Sequence, residues 1–222
     1  MINIAIDGPA GAGKSTIAKK VAAEKNYIYV DTGAMYRAMA LYLFRLGVNP
    51  DDSAAISANC VGADITIEYR DGVQVVLLDG ENVNSLLRTP EVSDMASRTS
   101  VNGDVRNKLM ELQQELARRQ NVVMDGRDIG TVVLPDAQVK IYLTASVAVR
   151  AKRRFLELME KIGNADLEEI EAQIRERDHR DMTRPIAPLK QADDAVLVDT
   201  SDMTIDEVVD KILSIIDEKI GG

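Results

Sequence analysis

The chain has 222 residues, 27 Lys and Arg against 36 Asp and Glu, and a formal net charge of −9; that sign excludes a protein that coats nucleic-acid backbone, which needs a basic face, but not one that binds a small anion with a few focused arginines. The one cysteine, Cys60, excludes an internal disulfide, fits a reducing compartment and reads as a buried structural thiol. No basic leader with an apolar stretch is present and no run nears the ~20 apolar residues of a membrane span, so a cytoplasmic protein without a membrane partner is expected.

Short apolar runs alternate with longer helical patterns, without repeats or linkers, which predicts a single α/β domain over 1–222 with a central parallel sheet flanked by helices. Residues 2–6 read as the first strand and 15–25 as a helix with Ile17, Val21 and Ala22 along one face. Between them stands Gly8-Pro9-Ala10-Gly11-Ala12-Gly13-Lys14-Ser15, which satisfies the P-loop pattern in full and in the required strand–loop–helix setting. Its glycines let several backbone N–H groups converge on one concavity at a helix N-terminus, whose dipole favours anions. Lys14 supplies a mobile charge for the β- and γ-phosphates of a nucleotide, and the Ser15 hydroxyl can join a Mg2+ shell.

Residues 27–30 form the second predicted strand, and 32–46 a helix that Gly47 stops. Asp31-Thr32-Gly33-Ala34-Met35-Tyr36-Arg37 therefore falls at a carboxyl end of the sheet, where ligands of open α/β sheets bind. Arg37 is placed to clamp a phosphate there; the alternative is a helix cap, Asp31 or Thr32, beside a solvated arginine. Residues 64–69 and 73–78 read as two strands joined by a turn at Asp71-Gly72, a small antiparallel insert. Residues 102–119 return to helix.

The strand at 121–124 ends in Asp125-Gly126-Arg127-Asp128-Ile129-Gly130. Asp125 stands where many P-loop enzymes keep the acid of their magnesium shell. Arg127 and Asp128 offer a cation and an acceptor at the strand end, or else a tight turn holding its own ion pair. After the strand 139–143, two charged helices at 146–161 and 167–182 carry arginine: Arg150, Arg153 and Arg154 share a face, and Arg177, Asp181 and Arg184 form a stripe. Either set is a solvated helix face or a cationic wall for phosphoryl transfer. Pro185 closes the second helix, His179 reads as surface, and strand 195–198 with helix 205–219 completes the pattern. Asn107-Lys108 is followed by Leu109 and Met110, so the Asn-Lys-x-Asp guanine element of switch GTPases is missing. A kinase of another small acceptor (AMP, UMP or shikimate) and a non-enzymatic ATP sensor remain open on these residues.

Together these pieces resemble the bacterial cytidylate kinases, P-loop nucleoside monophosphate kinases that phosphorylate CMP and dCMP with ATP. The resemblance spans almost the whole chain and rests on Ile6-Asp7-Gly8-Pro9 through Ser15-Thr16, Asp31 through Arg37, Arg88-Thr89-Pro90-Glu91-Val92, Asp125 through Val133, and Arg177-Asp178 through Arg184-Pro185-Ile186-Ala187-Pro188-Leu189. It implies a P-loop kinase fold with an insert at about 62–95 in the monophosphate-binding region and a helical lid at about 146–164. Gly8, Pro9, Ala10, Gly11, Ala12, Gly13, Lys14, Ser15 and Thr16 would hold ATP, with Mg2+ on Ser15 and Asp125 behind it. Arg37 and Arg127 would hold the acceptor phosphate; Ser97, Arg106 and Asp128 the cytosine; and Arg177, Asp181 and Arg184 the ribose and phosphates. Thr32 stands where the family commonly has serine, adding a methyl on the CMP side. Lys14, Arg127, Arg150, Arg153 and Arg154 would carry catalysis, with no strong base, because the acceptor phosphate is already an anionic nucleophile. The Asp128 carboxylate only accepts hydrogen bonds, so it would reward the amino group of cytosine over the carbonyl of uracil. A monomer is expected.

Overall fold

The computed structural model describes residues 1–70 and 72–221. Five strands, β1 (Asn3–Asp7), β2 (Ile28–Asp31), β6 (Val122–Gly126), β7 (Val139–Thr144) and β8 (Val196–Asp199), form one sheet in the order β2-β6-β1-β7-β8, and every pairing is parallel. Such strands must bury both faces, and here they do. Ile4 and Ile6 of β1 face the layer of α1 (Lys14–Lys25) and α8 (Ile205–Ile220), with Val21, Ile141 and Ile212. Ala5 faces the other layer, built around Met35, Met39 and Leu43 of α2 (Thr32–Arg45) and Leu109 of α5 (Gly103–Arg119). The two-residue period of a strand thus sorts β1 between two cores.

Local chemistry starts and stops these helices. The Asp31 carboxylate caps α2 by accepting from the Ala34 N–H at 2.9 Å, so the cap anticipated at Asp31 or Thr32 is Asp31. Thr204 and Glu207 form a reciprocal capping box at the start of α8. Asn102 caps α5 and also donates to Ser53 and Ser57 of α3 (Ser53–Cys60).

The insert is a three-stranded antiparallel sheet, β3 (Ile65–Arg70), β4 (Val73–Leu78) and β5 (Glu81–Asn82), with Ile65 opposite Leu78 and Arg70 opposite Val73. Asp71 of the expected turn lies outside the described residues; Gly72 has φ +75°, a left-handed conformation that glycine adopts without strain. Ile65, Val76 and Leu78 join the α2 core, so the insert shares the main domain's apolar interior.

Two helices, the short strand β5 and a turn have no counterpart in the sequence reading, which gives the insert two strands. α3 is short and poor in large apolar residues. α4 (Pro90–Thr99) has a capping Thr89, Pro90 in its first turn, and Val92, Met95, Ala96 and Thr99 buried at helical spacing. A π-helical turn, Ile129–Val133, follows β6 directly. The charged helices are α6 (Val147–Ile162) and α7 (Leu167–Thr183), which pack on each other as a hairpin, with Pro185 just past the end of α7. Cys60 is fully buried and His179 exposed, as anticipated.

Candidate active site

β1 delivers the chain into the loop at Gly8. A Cβ there would lie 1.9 Å from the Leu143 carbonyl oxygen of β7, so only glycine permits this approach. Gly13, at φ +90°, turns the chain into α1 and offers no side-chain cap, which leaves the first N–H groups of the helix open towards the loop. Lys14 is buried, and its Nζ donates to the Pro9 carbonyl at 2.7 Å. Burial first, and Arg127 next, hold its ammonium well below the usual lysine range, opposed by Asp125 and Asp7. A phosphate in the loop favours its charged form.

Beside the loop, the Ser15 Oγ donates to Asp125 Oδ2 at 2.9 Å, and the Tyr29 hydroxyl donates to Oδ1 at 2.8 Å. Burial, then the Asp31 charge, push the Asp125 carboxyl up. The Thr32 hydroxyl donates to the Asp125 carbonyl at 2.7 Å, fixing the end of β6 against the start of α2.

Across the cleft the cations take a layered order. Asp31, besides capping α2, accepts from Arg37 at 3.3 Å and Arg88 at 3.2 Å. Arg127 does not pair with Asp128, as a self-contained turn would require. Adjacent residues at the end of β6 point apart: Arg127 Nε donates to Asp181 at 2.8 Å, while buried Asp128 pairs with Arg106 and, at 3.1 Å, with Arg184. Arg106 also lies over the Tyr36 ring, 5.7 Å from its centroid, and burial raises the Tyr36 hydroxyl to about 12. Ser97 accepts from Arg180 at 3.3 Å. Arg177 has no ion-pair partner among the described residues.

The arginines of α6 part company. Arg150 is buried: Nε donates to the Ala145 carbonyl, Nη1 to the Ala10 carbonyl of the loop at 2.9 Å, and both outer nitrogens engage Asp178 of α7, at 3.1 and 2.6 Å. Arg153 donates to the Thr200 carbonyl at 2.7 Å, and Arg154 pairs with Glu157 in solvent.

One cavity of about 800 Å³ collects Ala10 through Thr16, Thr32, Arg37, Ser97, Arg106, Asp125, Arg127, Asp128, Arg150, Arg153, Arg154, Arg177, Asp181 and Arg184. Gly8 and Pro9 stand behind its wall. Asp31 and Arg88 also line it, and neither was a sequence candidate in a binding role; Arg88 meets Asp31 only because α2, the insert and the start of α4 fold together. Tyr29 and Asp178 act from outside the wall, and their contacts at separations of 96 and 28 residues left no local signal.

The phosphate loop and a group of arginines share one cleft, on the fold of the P-loop kinases. The whole-chain comparison narrows that class. A family model described as cytidylate kinase matches residues 4–218. Curated cytidylate kinases from Caldicellulosiruptor bescii and Lactobacillus johnsonii are 50% identical over 214 residues (96% of this chain, 95% of theirs) and 51% identical over 219 residues (99% and 95%). The chain belongs to the cytidylate kinase family, nucleoside monophosphate kinases within the transferases. Solved structures share the fold alone. An uncharacterized protein from Eubacterium ventriosum has a TM-score of 0.55 at 15% identity, covering 98% of this chain and 99% of that one. A shikimate kinase from Acinetobacter baumannii in complex with shikimate has a TM-score of 0.50 at 16% identity, covering 99% and 95%.

Proposed function

We propose that this cleft transfers the γ-phosphoryl group of ATP to CMP or dCMP, giving ADP and CDP or dCDP, with ATP on the loop of 8–16 and the pyrimidine at Asp128. The observation that carries the reading is that the phosphate loop, the arginines Arg37, Arg88, Arg127 and Arg177, and the buried carboxylate Asp128 line one cavity. Lys14 and the open N–H groups of α1 bind the donor phosphates. Arg37, Arg88, Arg127 and Arg177 meet the acceptor phosphate and the charge on the migrating group. Asp181 orients Arg127 through Nε. Arg184 lies beside the nucleoside and also holds Asp128, with Ser97, Arg106 and Thr32 around it. Arg150 holds the loop to the α6–α7 hairpin, and Arg153 and Arg154 line the donor end.

The hydroxyl of Ser15 and the carboxylate of Asp125, 2.9 Å apart beside the loop, are hard oxygen donors that suit Mg2+ shared with nucleotide phosphates. An ion held by these two residues would supply charge neutralisation to the nucleotide phosphates. Residues 62–95 are read as the acceptor-binding insert and 146–164 as a lid whose closure excludes water. The working unit is read as a monomer. Among the described residues no helix is long and apolar enough to cross a membrane, in keeping with a cytoplasmic site of action.

An acceptor screen tests the reading: ADP formation from ATP is followed with CMP, dCMP, UMP, AMP and shikimate in turn. CMP and dCMP should give the highest kcat/KM. An equal value for AMP or shikimate would overturn the acceptor assignment.

A further inference from the structure

Asp7 ends β1, is 5% exposed, and has no part in the chemistry described above. Its carboxylate nevertheless makes two hydrogen bonds across the sheet. Oδ1 accepts from the Ile129 N–H at 2.8 Å and Oδ2 from the Gly130 N–H at 2.7 Å. These are the first two N–H groups of the π-helical turn whose N-cap residue is Asp128.

An aspartate at an N-cap ordinarily folds back onto the open N–H groups that follow it. Asp128 makes no such bond; its carboxylate reaches the other way, to Arg106 and Arg184. Of the N–H groups within reach of a cap at Asp128, those of the second and third residues of the turn, the Gly130 group is already held by Asp7, which takes the Ile129 group as well. Space at the contact is fitted to this arrangement, since a Cβ on Gly130 would come within 3.1 Å of the Lys140 side chain and 3.4 Å of Asp7 Oδ2. The backbone of Asp7 is fixed independently, paired with Gly126 of β6 and Tyr142 of β7.

We propose that Asp7 is a positioning residue that caps the turn after β6 in place of Asp128, and so frees the Asp128 carboxylate to face the acceptor nucleoside. The inference rests on the reading of Asp128 as an acceptor-side group. Without Asp7, the Ile129 and Gly130 N–H groups compete for the Asp128 carboxylate and draw it from Arg106, Arg184 and the acceptor. Acceptor binding then suffers while donor binding does not, because the ladder on both sides holds β1 and the start of the loop in place.

The test uses Asp7→Ala, Asp7→Asn, Asp128→Asn and the Asp7→Ala/Asp128→Asn double variant of the full chain, with ATP and CMP affinities read by calorimetry. Loss of a cap predicts a CMP Kd roughly three- to thirtyfold higher in Asp7→Ala, and an ATP Kd within about twofold of the parent. Asp7→Asn keeps one accepting oxygen and should fall between. The double variant should bind CMP as Asp128→Asn does, because Asp7 acts through Asp128. Equal losses for ATP and CMP, or the full Asp7 factor reappearing in the double variant, would overturn the proposal and leave Asp7 a clamp of the fold. An unchanged CMP Kd in Asp128→Asn would instead remove the acceptor reading of Asp128 and the proposal with it. Should Asp7→Ala not fold, hydrogen exchange in the parent protein still decides: the Ile129 and Gly130 amides should be protected without nucleotide, and free exchange at both would contradict the cap.

Discussion

Asp128 is held by partners from distant elements, Arg106 on α5 and Arg184 at the end of α7, one on each carboxylate oxygen, and each oxygen has capacity to accept a further hydrogen bond. On the proposed acceptor assignment, cytosine would donate its amino group there and uracil would bring a second acceptor against it. A lost hydrogen bond with its desolvation gives roughly thirty- to a thousandfold preference for CMP over UMP. Asp128→Asn should lower kcat/KM for CMP while the value for UMP holds or rises, since an amide can turn its NH2 towards a carbonyl; an equal fall for both would show that Asp128 shapes the turn only. The same variant leaves two buried arginines undercompensated and should cost about 3 kcal/mol of stability, read by denaturant unfolding. Asp7 makes a pH prediction. Burial raises its carboxyl from 3.8 to about 6, against the lowering effect of the Gly130 and Ile129 N–H groups, with Asp128 raising it and Lys14 lowering it further. The folded state therefore holds this proton more tightly than the unfolded chain does. The stability it contributes is complete below about pH 4 and is lost as pH rises through 6, a change of at most about 3 kcal/mol. Measured by unfolding at pH 4.5 and 7, the wild-type protein should lose ground to Asp7→Asn as pH rises; a constant difference would contradict the assignment.

At the scale of elements, the α6–α7 hairpin is joined to the phosphate loop by Arg150, which bridges Ala10 and Asp178 from within the wall. Arg150→Ala should leave Asp178 buried without its partner, costing about 3 kcal/mol and lowering Tm by about 6–12 °C. Arg154→Ala, at a solvent-exposed pair with Glu157, should leave Tm almost unchanged. Equal Tm values for the two variants would show that the buried bridge does not join these elements. In sequence these arginines look alike, three residues on one helix face, because an i, i+3, i+4 pattern carries no sign of an aspartate 28 positions away. The same limit explains why a local Arg127–Asp128 pair stood as an alternative: adjacency allowed it, and the structure pairs each residue with a partner far along the chain. Where the signal was local it could be read. The P-loop is one contiguous pattern between a strand and a helix, and Asp31, Asp125 and Asp128 fall at strand ends that apolar runs mark. α3 was hidden by its alanines, two serines and asparagine, with only Ile56 and Cys60 buried. α4 carried a readable cap, Thr89-Pro90, within a stretch noticed only as a motif.

Over the whole molecule the charge is −9, yet the walls of the cleft hold ten cationic side chains and five carboxylates. The inverted sign inside the cleft favours small anions against the global charge. The two cores on either side of the parallel sheet hold the carboxyl ends of β1, β2 and β6 in one rim. One cleft then carries the proposed sites of both nucleotides, where phosphoryl transfer would be a matter of position and charge. The central claim is that the phosphoryl group passes from ATP to the acceptor nucleotide and not to water. Chromatographic quantitation of ADP, CDP and inorganic phosphate, with ATP and Mg2+ in the presence and absence of CMP, tests it most directly. The account predicts ADP and CDP in one-to-one ratio with CMP present, little free phosphate, and almost no ADP without CMP. ADP matched by inorganic phosphate with no CDP formed, or ADP release indifferent to CMP, would contradict it.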